Sequence, residues 1–317
     1  MTFNLRYETF DWVRYKNENS DLPQIIDKTG CWNHLLKYGL KEKRHYYEKT
    51  EPEENHVSNK TFQKKYTFYI VRCITNKTTS LYWKESCKCI RNIYKNIKIV
   101  IIDDNSKDEF KQDDKLMKDV IFIYADKSCI KSGELLPYFY FWKSPASEFA
   151  IVIHDSVFIK QEIHQFIMNK PYIPLWSFKS DTCKEQLLLP ISDLMEMLQN
   201  KYVFKEVYNN NNSWEGVFGA MSIISHDFIT KINNKFKIFK QDSILTRIKT
   251  RVQRMCFERM LSIMSYALLK EQVGSLFGDI HIWCTFVSGK DWGITWKDYN
   301  SELVSDRTSI VKVWTGR

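Results

Sequence analysis

The sequence predicts an α/β protein whose mostly parallel sheet is flanked by helices and preceded by a small helical extension. After Tyr66, short apolar runs alternate with segments that favour helices. The runs are apolar almost throughout, which is typical of parallel strands that are covered on both faces. Two of the runs stop abruptly at acidic residues, and ligands of such sheets bind beyond the carboxyl ends of the strands.

The first half of this region contains the clearest elements. Apolar, β-branched and aromatic runs predict strands, and the segments between them predict helices. In chain order these are a strand at Tyr66–Cys73, a helix at Thr79–Tyr94, strands at Ile97–Ile102 and Val120–Tyr124, a helix at Gly133–Trp142, and a strand at Phe149–Ile153.

The second half has a less regular pattern. Apolar runs predict strands at Ile173–Phe178, Val217–Ser225 and Leu276–Phe286. Between them, apolar residues recur along one face of Asp242–Gln272, which predicts a single long helix.

Ahead of the sheet, the sequence predicts a helical module at residues 1–45 and a linker at residues 46–65, followed by one domain at residues 66–317. Two amphipathic stretches, Phe10–Asn17 and Lys28–Tyr38, predict the helices of the module. The linker is predicted because it is polar and lacks periodicity. About 45 residues bury too little apolar surface to be stable alone, so we expect the module to dock on the main domain or on a partner.

The charge balance favours an anionic ligand. The chain has 47 basic and 38 acidic residues, a formal net charge of +9, which suits nucleic acid, a membrane surface or a small phosphorylated ligand. Because the basic residues are spread along the chain, nucleic acid is not an expected partner. No apolar run approaches the roughly 20 residues of a transmembrane segment. Met1–Tyr7 lacks the apolar core of a signal peptide, so we expect a cytoplasmic protein.

The first candidate site is Asp103-Asp104-Asn105-Ser106, which follows the second predicted strand. Carboxylates at a strand end can accept hydrogen bonds from a pyrimidine N–H or from ribose hydroxyls, and Ser106 can cap a following helix. Asp, Asn and Ser are also frequent turn formers. The position one βα unit into a parallel sheet favours nucleotide binding by Asp103, Asp104 and Ser106.

The second candidate site is His154-Asp155-Ser156, which follows the fourth predicted strand. Enzymes that use nucleotide sugars commonly hold a divalent cation against both phosphates with acidic residues at such a strand end. Only one carboxylate is present here, so a metal-independent enzyme and a simple polar turn stay open. Asp155 is the expected metal ligand with His154, which suits Mn²⁺ better than Mg²⁺. His281 is a candidate late ligand or phosphate contact, and a structural histidine is the alternative.

Two further segments carry candidate residues on the acceptor side. In Ser213–Asp227, Trp214 offers a flat face to a sugar, Glu215 lies beside it, and Gly219 permits close approach of a ligand. A packed strand with a glycine kink is the alternative for this segment.

The predicted long helix places Arg247, Arg251, Arg254 and Glu258 on one face by their spacing. The functional interpretation makes Glu258 the base that takes a proton from an acceptor hydroxyl, with an arginine near the phosphates. The alternative is a solvated face with an ordinary Arg254–Glu258 pair.

In their order along the chain, these motifs resemble a family-2-like glycosyltransferase of the GT-A fold. The resemblance to the nucleotide-binding half covers IVIIDDNS and IVIHDSVFI. It implies that Asp103 or Asp104 contacts the base and that Asp155 lies at the metal and the diphosphate. WEGVFGAMSIISHDF is similar to the acceptor-side strand, and CFERML resembles the helix that supplies the catalytic carboxylate, at Glu258. The DxD motif of the family reads HDS here, and its Glu-Asp pair reads Glu258-Arg259.

The N-terminal segments FDWVRY, DLPQ and CWNHLLKYGLKEKR resemble a short module that precedes glycosyltransferase domains in giant DNA viruses of the mimivirus type. This resemblance implies a viral protein of the host cytoplasm, with association with the virion as a further expectation.

The resemblance implies transfer of a sugar from a nucleotide-sugar donor, with a UDP-sugar favoured, to a hydroxyl of a glycan, protein or lipid. It further implies inversion at the anomeric carbon and a divalent cation, Mn²⁺ or Mg²⁺, as cofactor. One alternative is a catalytically reduced carbohydrate- or nucleotide-binding protein on a transferase fold. The other is a nucleotidyltransferase, although residues 72–77 lack the glycine-rich loop expected of that class.

Overall fold

The computed structural model describes residues 5, 7, 10–22, 28–48, 59–111, 119–164, 170–182, 184–210, 214–290, 293–301 and 308–315. The strands of this part of the chain are β1 (Tyr66–Arg72), β2 (Lys98–Asp103), β3 (Val120–Tyr124), β4 (Phe149–His154), β5 (Val157–Ile159), β6 (Tyr172–Pro174), β7 (Ser177–Phe178), β8 (Gly216–Val217), β9 (Ser222–Ser225) and β10 (Ile310–Lys312).

The helices of the same residues are α1 (Trp12–Glu18), α2 (Lys28–His34), α3 (Asn59–Lys65), α4 (Thr79–Ile93), α5 (Leu136–Lys143), α6 (Lys184–Glu196), α7 (Lys201–Asn209), α8 (His226–Phe236), α9 (Ile244–Arg247), α10 (Arg251–Leu269), α11 (Ile280–Ser288) and α12 (Trp296–Tyr299). Among these residues, no helix combines the length and the apolarity that crossing a membrane requires.

A six-stranded sheet of order β3-β2-β1-β4-β9-β6 forms the centre of the fold. The first four of these strands are parallel, whereas β9 runs antiparallel to both β4 and β6. In register, Val71 of β1 lies opposite Ile102 of β2 and His154 of β4. The carboxyl ends of these strands therefore meet at one edge. The predicted α/β fold with a mostly parallel sheet flanked by helices is confirmed.

The two faces of the sheet contribute to different hydrophobic clusters, because successive strand residues point to opposite faces. Phe68 and Ile70 of β1 belong to a cluster that includes Trp32 of α2. Tyr69, between them, belongs to a second cluster that includes Phe257 of α10. Burial on both faces explains why the parallel strands are apolar throughout.

The elements predicted between residues 66 and 153 are all present, with ends shifted by at most three residues. The predicted helix at Gly133–Trp142 begins as a 3₁₀ turn, Gly133–Leu135, and continues as α5. The predicted strand at Ile173–Phe178 is divided into β6 and β7. The predicted strand at Val217–Ser225 is interrupted by a 3₁₀ turn at Phe218–Ala220.

The single helix predicted at Asp242–Gln272 is wrong, because the chain forms two helices, α9 and α10. Ile248 and Thr250 between them have extended backbone angles. The Thr250 side chain accepts a hydrogen bond from Gln253 N, and the Gln253 side chain bonds back to the Thr250 backbone. This capping box begins a new helix, α10. The apolar periodicity of the segment does not show that the helix is interrupted.

The strand predicted at Leu276–Phe286 is also wrong, because most of this segment is the helix α11. The Asp279 side chain accepts hydrogen bonds from the backbone N–H groups of His281 and Ile282 and so caps the helix. Gly289 ends it in the left-handed conformation. A short apolar run fits a strand and a buried helix equally well, and here the caps decide.

The N-terminal module packs on the main domain, as its small size led us to expect. Its helices α1 and α2 and a π-helical turn at Leu35–Gly39 share the hydrophobic cluster that contains Trp283 of α11. The Trp32 ring lies so close to Gly278 that a side-chain carbon there would come within 2.8 Å of it.

The predicted linker at residues 46–65 differs in part from the structure. Its residues 49–58 lie outside the described residues, but Asn59–Lys65 forms α3. Phe62 of this helix is fully buried and stacks against Tyr66 at a centroid distance of 4.7 Å. This part of the segment therefore belongs to the packed fold.

Candidate functional site

A pocket of about 280 Å³ lies beyond the end of β4. Here it is called the strand-end pocket. Its walls come from α10, from the turn between β8 and β9, from the start of α11 and from the segment around β10. Most of the lining side chains belong to three classes. They are basic or histidine (Arg251, Arg254, Arg259, Lys312, His154, His281), carboxylic (Glu134, Glu258) and aromatic (Phe178, Phe218, Trp314). Ligands of open α/β sheets bind at this edge.

Helix α10 contributes Arg251, Arg254 and Glu258 to the pocket. Residues three and four apart in a helix lie on one face, and the start of α10 at Thr250 directs that face into the pocket. These three residues therefore lie on one face of the helix, as their spacing predicts. Arg247 lies on α9 and is not among the described residues that line the pocket.

The Glu258 carboxyl group is surrounded by protein atoms, although part of its side chain faces the pocket. Burial, followed by the negative charge of Glu134, raises the pKa of Glu258 to about 8. Arg259, a hydrogen bond from the Gly219 backbone N–H, and Arg251 act in the opposite direction. Near neutral pH, Glu258 is therefore mostly protonated, and once ionised it is a stronger base than an ordinary carboxylate.

Glu134 is the second carboxyl group of the pocket, and the sequence did not identify it. It lies in the 3₁₀ turn before α5, where its Oε2 is 3.1 Å from Arg254 Nε and its Oε1 is 3.8 Å from His154 Nε2. Burial raises the pKa of Glu134 above its usual range. In sequence, a glutamate in the first turn of a helix is an ordinary residue, so its role in the pocket depends on the tertiary contact with Arg254.

Lys312 is the other pocket residue that the sequence did not identify. It lies on β10, which pairs antiparallel with β5 directly after the His154-Asp155-Ser156 motif. Its Nζ donates to Ser156 Oγ at 2.6 Å and to the Val313 carbonyl oxygen at 2.9 Å. The residue is only 8% exposed. A buried ammonium group is thus fixed beside the strand end where a metal was expected.

Asp103 and Ser106 both make buried hydrogen bonds within the protein. Asp103 Oδ2 accepts from Arg72 Nε at 2.8 Å, and both side chains are buried. Its Oδ1 accepts from the Ser106 backbone N–H at 2.9 Å. Ser106 Oγ accepts from Ile74 N at 2.7 Å, so this hydroxyl joins the ends of β1 and β2 instead of capping a helix.

Asp104 holds the backbone that precedes Glu134. Its Oδ1 accepts from Lys131 N, and its Oδ2 accepts from Gly133 N at 3.0 Å. Burial raises the pKa of Asp104, while these two N–H groups and Arg254 oppose the rise. The structure thus gives Asp104 a positioning role in the protein, and its contact with a nucleotide stays a prediction.

The three expected acceptor-side residues divide between two cavities. Trp214 is only 3% exposed and stacks on Tyr208, and it lines a small cavity of about 20 Å³ together with Glu215. Gly219 lines the strand-end pocket instead. Glycine is required there, because its φ is +60° and a side-chain carbon would lie 2.8 Å from the His154 ring. Residue 213, where the predicted segment begins, lies outside the described residues.

The expected metal ligands do not form a metal site. His154 and His281 line the pocket, but Asp155 is only 2% exposed, and its backbone N–H donates to the Val71 carbonyl oxygen. Within the described ranges, no group of three or more His, Cys, Asp or Glu side chains could hold a metal ion. The single carboxylate of this set does not line the pocket, so these residues on their own do not form a site for Mn²⁺ or Mg²⁺, which prefer oxygen ligands.

Neither a protein-family model nor a curated protein matches the sequence.

Among solved structures, TarS of S. aureus in complex with UDP is 17% identical with a TM-score of 0.25, over 31% of this chain and 29% of that chain. The Mn/GDP form of core-mannan synthase A (CmsA/Ktr4) from Aspergillus fumigatus is 11% identical with a TM-score of 0.37, over 68% and 76% of the two chains. The mannosyltransferase Ktr4p from S. cerevisiae in complex with GDP is 14% identical with a TM-score of 0.38, over 84% and 82%. The chain spans less than two thirds of the TarS chain. At these scores the likeness identifies neither a family nor an activity.

Proposed function

We propose that the chain is a glycosyltransferase that moves a sugar from a nucleotide-sugar donor, with a UDP-sugar favoured, to a hydroxyl group of a glycan, protein or lipid. The observation that carries this proposal is the pairing of a carboxyl group with a pKa of about 8, Glu258, and a largely cationic pocket. Such a pocket suits a reaction in which a proton is removed and an anion leaves.

The positive charge of the pocket suits a nucleoside diphosphate as the leaving group. Four basic side chains face the two carboxyl groups Glu134 and Glu258, and Glu258 is mostly uncharged at neutral pH. The remaining positive charge complements the diphosphate that carries the donor sugar. Because the leaving group gains negative charge as its bond to the sugar breaks, these cations stabilise the transition state more than the bound donor.

Glu258 suits the role of the base. In the proposed step, its ionised carboxylate takes the proton of the acceptor hydroxyl as the acceptor oxygen bonds to the anomeric carbon. The bond from that carbon to the diphosphate oxygen breaks, and the nucleoside diphosphate leaves with the electron pair. Direct displacement of this kind inverts the anomeric centre. The Gly219 backbone N–H favours the ionised form of the carboxyl group, which this step requires.

The aromatic side chains of the pocket suit the sugar of an acceptor. Trp314 is 44% exposed at the pocket, and Phe178 and Phe218 lie in the same lining. A tryptophan with one exposed face can pack against the apolar side of a sugar ring while its neighbours exclude water. We therefore assign to Trp314 the stacking role that the sequence suggested for the buried Trp214.

Substitution of Glu258 by Gln tests the proposal. Wild-type protein is incubated with a panel of UDP-sugars and GDP-sugars and with glycan, peptide and lipid acceptors, and the glycosylated product and the free nucleoside diphosphate are quantified. We expect transfer with at least one donor and a loss of about 100-fold or more in Glu258→Gln, because a positioned base contributes that much. Glu206→Gln makes the same substitution at an exposed residue of α7, away from the pocket, and serves as the control.

Two results would count against the proposal. Full transfer activity in Glu258→Gln would exclude this residue as the base. Failure of every nucleotide and nucleotide sugar to bind would exclude the transferase, whereas binding without transfer by the wild type would favour the catalytically reduced binding protein.

A further inference from the structure

We propose that the strand-end pocket binds the diphosphate of its donor through Arg251 and Lys312, in place of a protein-bound divalent cation. This inference rests on the proposed function, because it assigns the partner of the donor's phosphates. It departs from the expected cation, for which the described residues do not supply a ligand set.

Lys312 is placed where a cation would act on the leaving group. Its ammonium group is hydrogen-bonded to Ser156, one residue after the carboxylate Asp155 that was expected to hold a metal. Lys312 is only 8% exposed but lines the pocket, and low exposure strengthens its attraction for a phosphate because little water screens the charge. Lysine is a common phosphate ligand that acts as a point charge.

Arg251 adds a cation at the open side of the pocket. It is the first residue of α10, a helix of 19 residues, and it is exposed while lining the pocket. The backbone N–H groups at this end of α10 add a partial positive charge of their own. A guanidinium group can bind a phosphate through two parallel hydrogen bonds.

Like Lys312, the other two basic side chains of the lining, Arg254 and Arg259, have partners in the protein. Arg254 pairs with Glu134, and Arg259 donates to the carbonyl oxygens of Met255 and Thr182. They contribute positive charge to the pocket but hold its walls together. Together with Arg251 and Lys312, they would repel a divalent cation from the strand end, so the electrostatics favour a diphosphate that arrives without one.

The experiment measures binding of UDP and GDP by isothermal titration calorimetry, in EDTA and in excess MnCl₂. We expect the Kd for at least one of the two nucleotides to agree within about threefold between the two conditions. Arg251→Gln and Lys312→Met should each weaken binding in EDTA by about tenfold or more, because each removes a charged hydrogen-bond donor. Arg247→Gln removes an arginine outside the pocket and should leave the Kd unchanged.

Arg251→Gln is the safer of the two variants, since Arg251 is exposed and Lys312 is buried. Thermal unfolding shows whether the Lys312→Met protein is folded. If it is not, the Kd of the Arg251→Gln protein in EDTA is the test of the inference. Binding that is lost in EDTA and restored by MnCl₂ would overturn the inference and leave the proposed transferase intact. Binding in EDTA that neither variant weakens would also overturn it. Absence of binding in both conditions would instead remove the proposed function.

Discussion

His154 Nε2 lies 3.0 Å from the carbonyl oxygen of Gly219 and so joins the end of β4 to the turn between β8 and β9. The backbone N–H of the same Gly219 acts on Glu258 and lowers the pKa of its carboxyl group. A single glycine therefore connects a histidine at the sheet edge with the proposed base on α10. The orientation of Glu258 depends on the backbone of this turn.

Substitution of Gly219 by Ala should abolish most of the transfer activity. The new methyl group would lie within 2.8 Å of the His154 ring, and the φ of +60° disfavours any side chain. The turn would have to shift, and the hydrogen bond to Glu258 would be weakened. We expect a loss of about 1–2 kcal/mol of stability, measured by urea unfolding. Gly289→Ala is the control, because its φ is +71° and no atom lies within 4 Å of the new carbon. It should be destabilised but active, and equal activity of both variants would contradict the assigned role of Gly219.

The rate should rise with pH up to about 8. Because the ionised carboxylate of Glu258 is the proposed base and its pKa is raised to about 8, the active fraction grows about tenfold per pH unit below that value. We expect kcat/KM to follow this slope from about pH 6 and to level off above about pH 8. A profile that stays flat across this range would show that no group with this pKa limits the reaction.

Substitution of Trp314 by Ala should weaken the acceptor and spare the donor. The exposed indole is assigned to the acceptor sugar, and loss of one aromatic stacking contact costs about three- to tenfold in affinity. Steady-state kinetics should show that increase in the KM for a glycan acceptor, with the KM for the donor unchanged. Tyr202→Ala removes an aromatic residue that is 77% exposed on α7 and serves as the control. An unchanged acceptor KM would remove Trp314 from the site.

Substitution of Asp103 by Ala should destabilise the fold strongly. The change leaves the Arg72 guanidinium buried without the carboxylate that lies 2.8 Å away. Removal of one member of a buried ion pair costs about 3–5 kcal/mol, which urea unfolding would detect. The exposed pair of Arg14 and Glu18 offers the comparison, and Glu18→Ala should lose little stability. A stable Asp103→Ala protein that fails to bind nucleotide would instead support the ligand role predicted from sequence.

The sheet was predictable because its parallel strands are buried on both faces. Each residue of β1 is buried, so the apolar run from Tyr66 could be recognised without its surroundings. The run at Leu276–Phe286 is also mostly apolar, but most of it is a helix that is capped by Asp279 and Gly289. The apolar pattern of a segment indicates that it is buried, whereas a capping residue indicates whether the buried segment is a helix or a strand.

The candidate site was predictable only where one element supplies several of its residues. Helical spacing was enough to bring Arg251, Arg254 and Glu258 together on α10. Lys312 and Ser156 are 156 residues apart in the chain and meet through the pairing of β10 with β5. Glu134 enters the pocket through its contact with Arg254. Neither contact has a local signature in the sequence.

The two hydrogen bonds of Asp104 have a consequence for how the pocket can open. Because one carboxylate holds the amides of both Lys131 and Gly133, this stretch cannot be released one bond at a time without leaving a buried oxygen unsatisfied. We therefore expect residues 131–134, which include Glu134, to open as one unit. The two amide protons should share one protection factor against exchange with solvent, and bound nucleotide should raise it for both together.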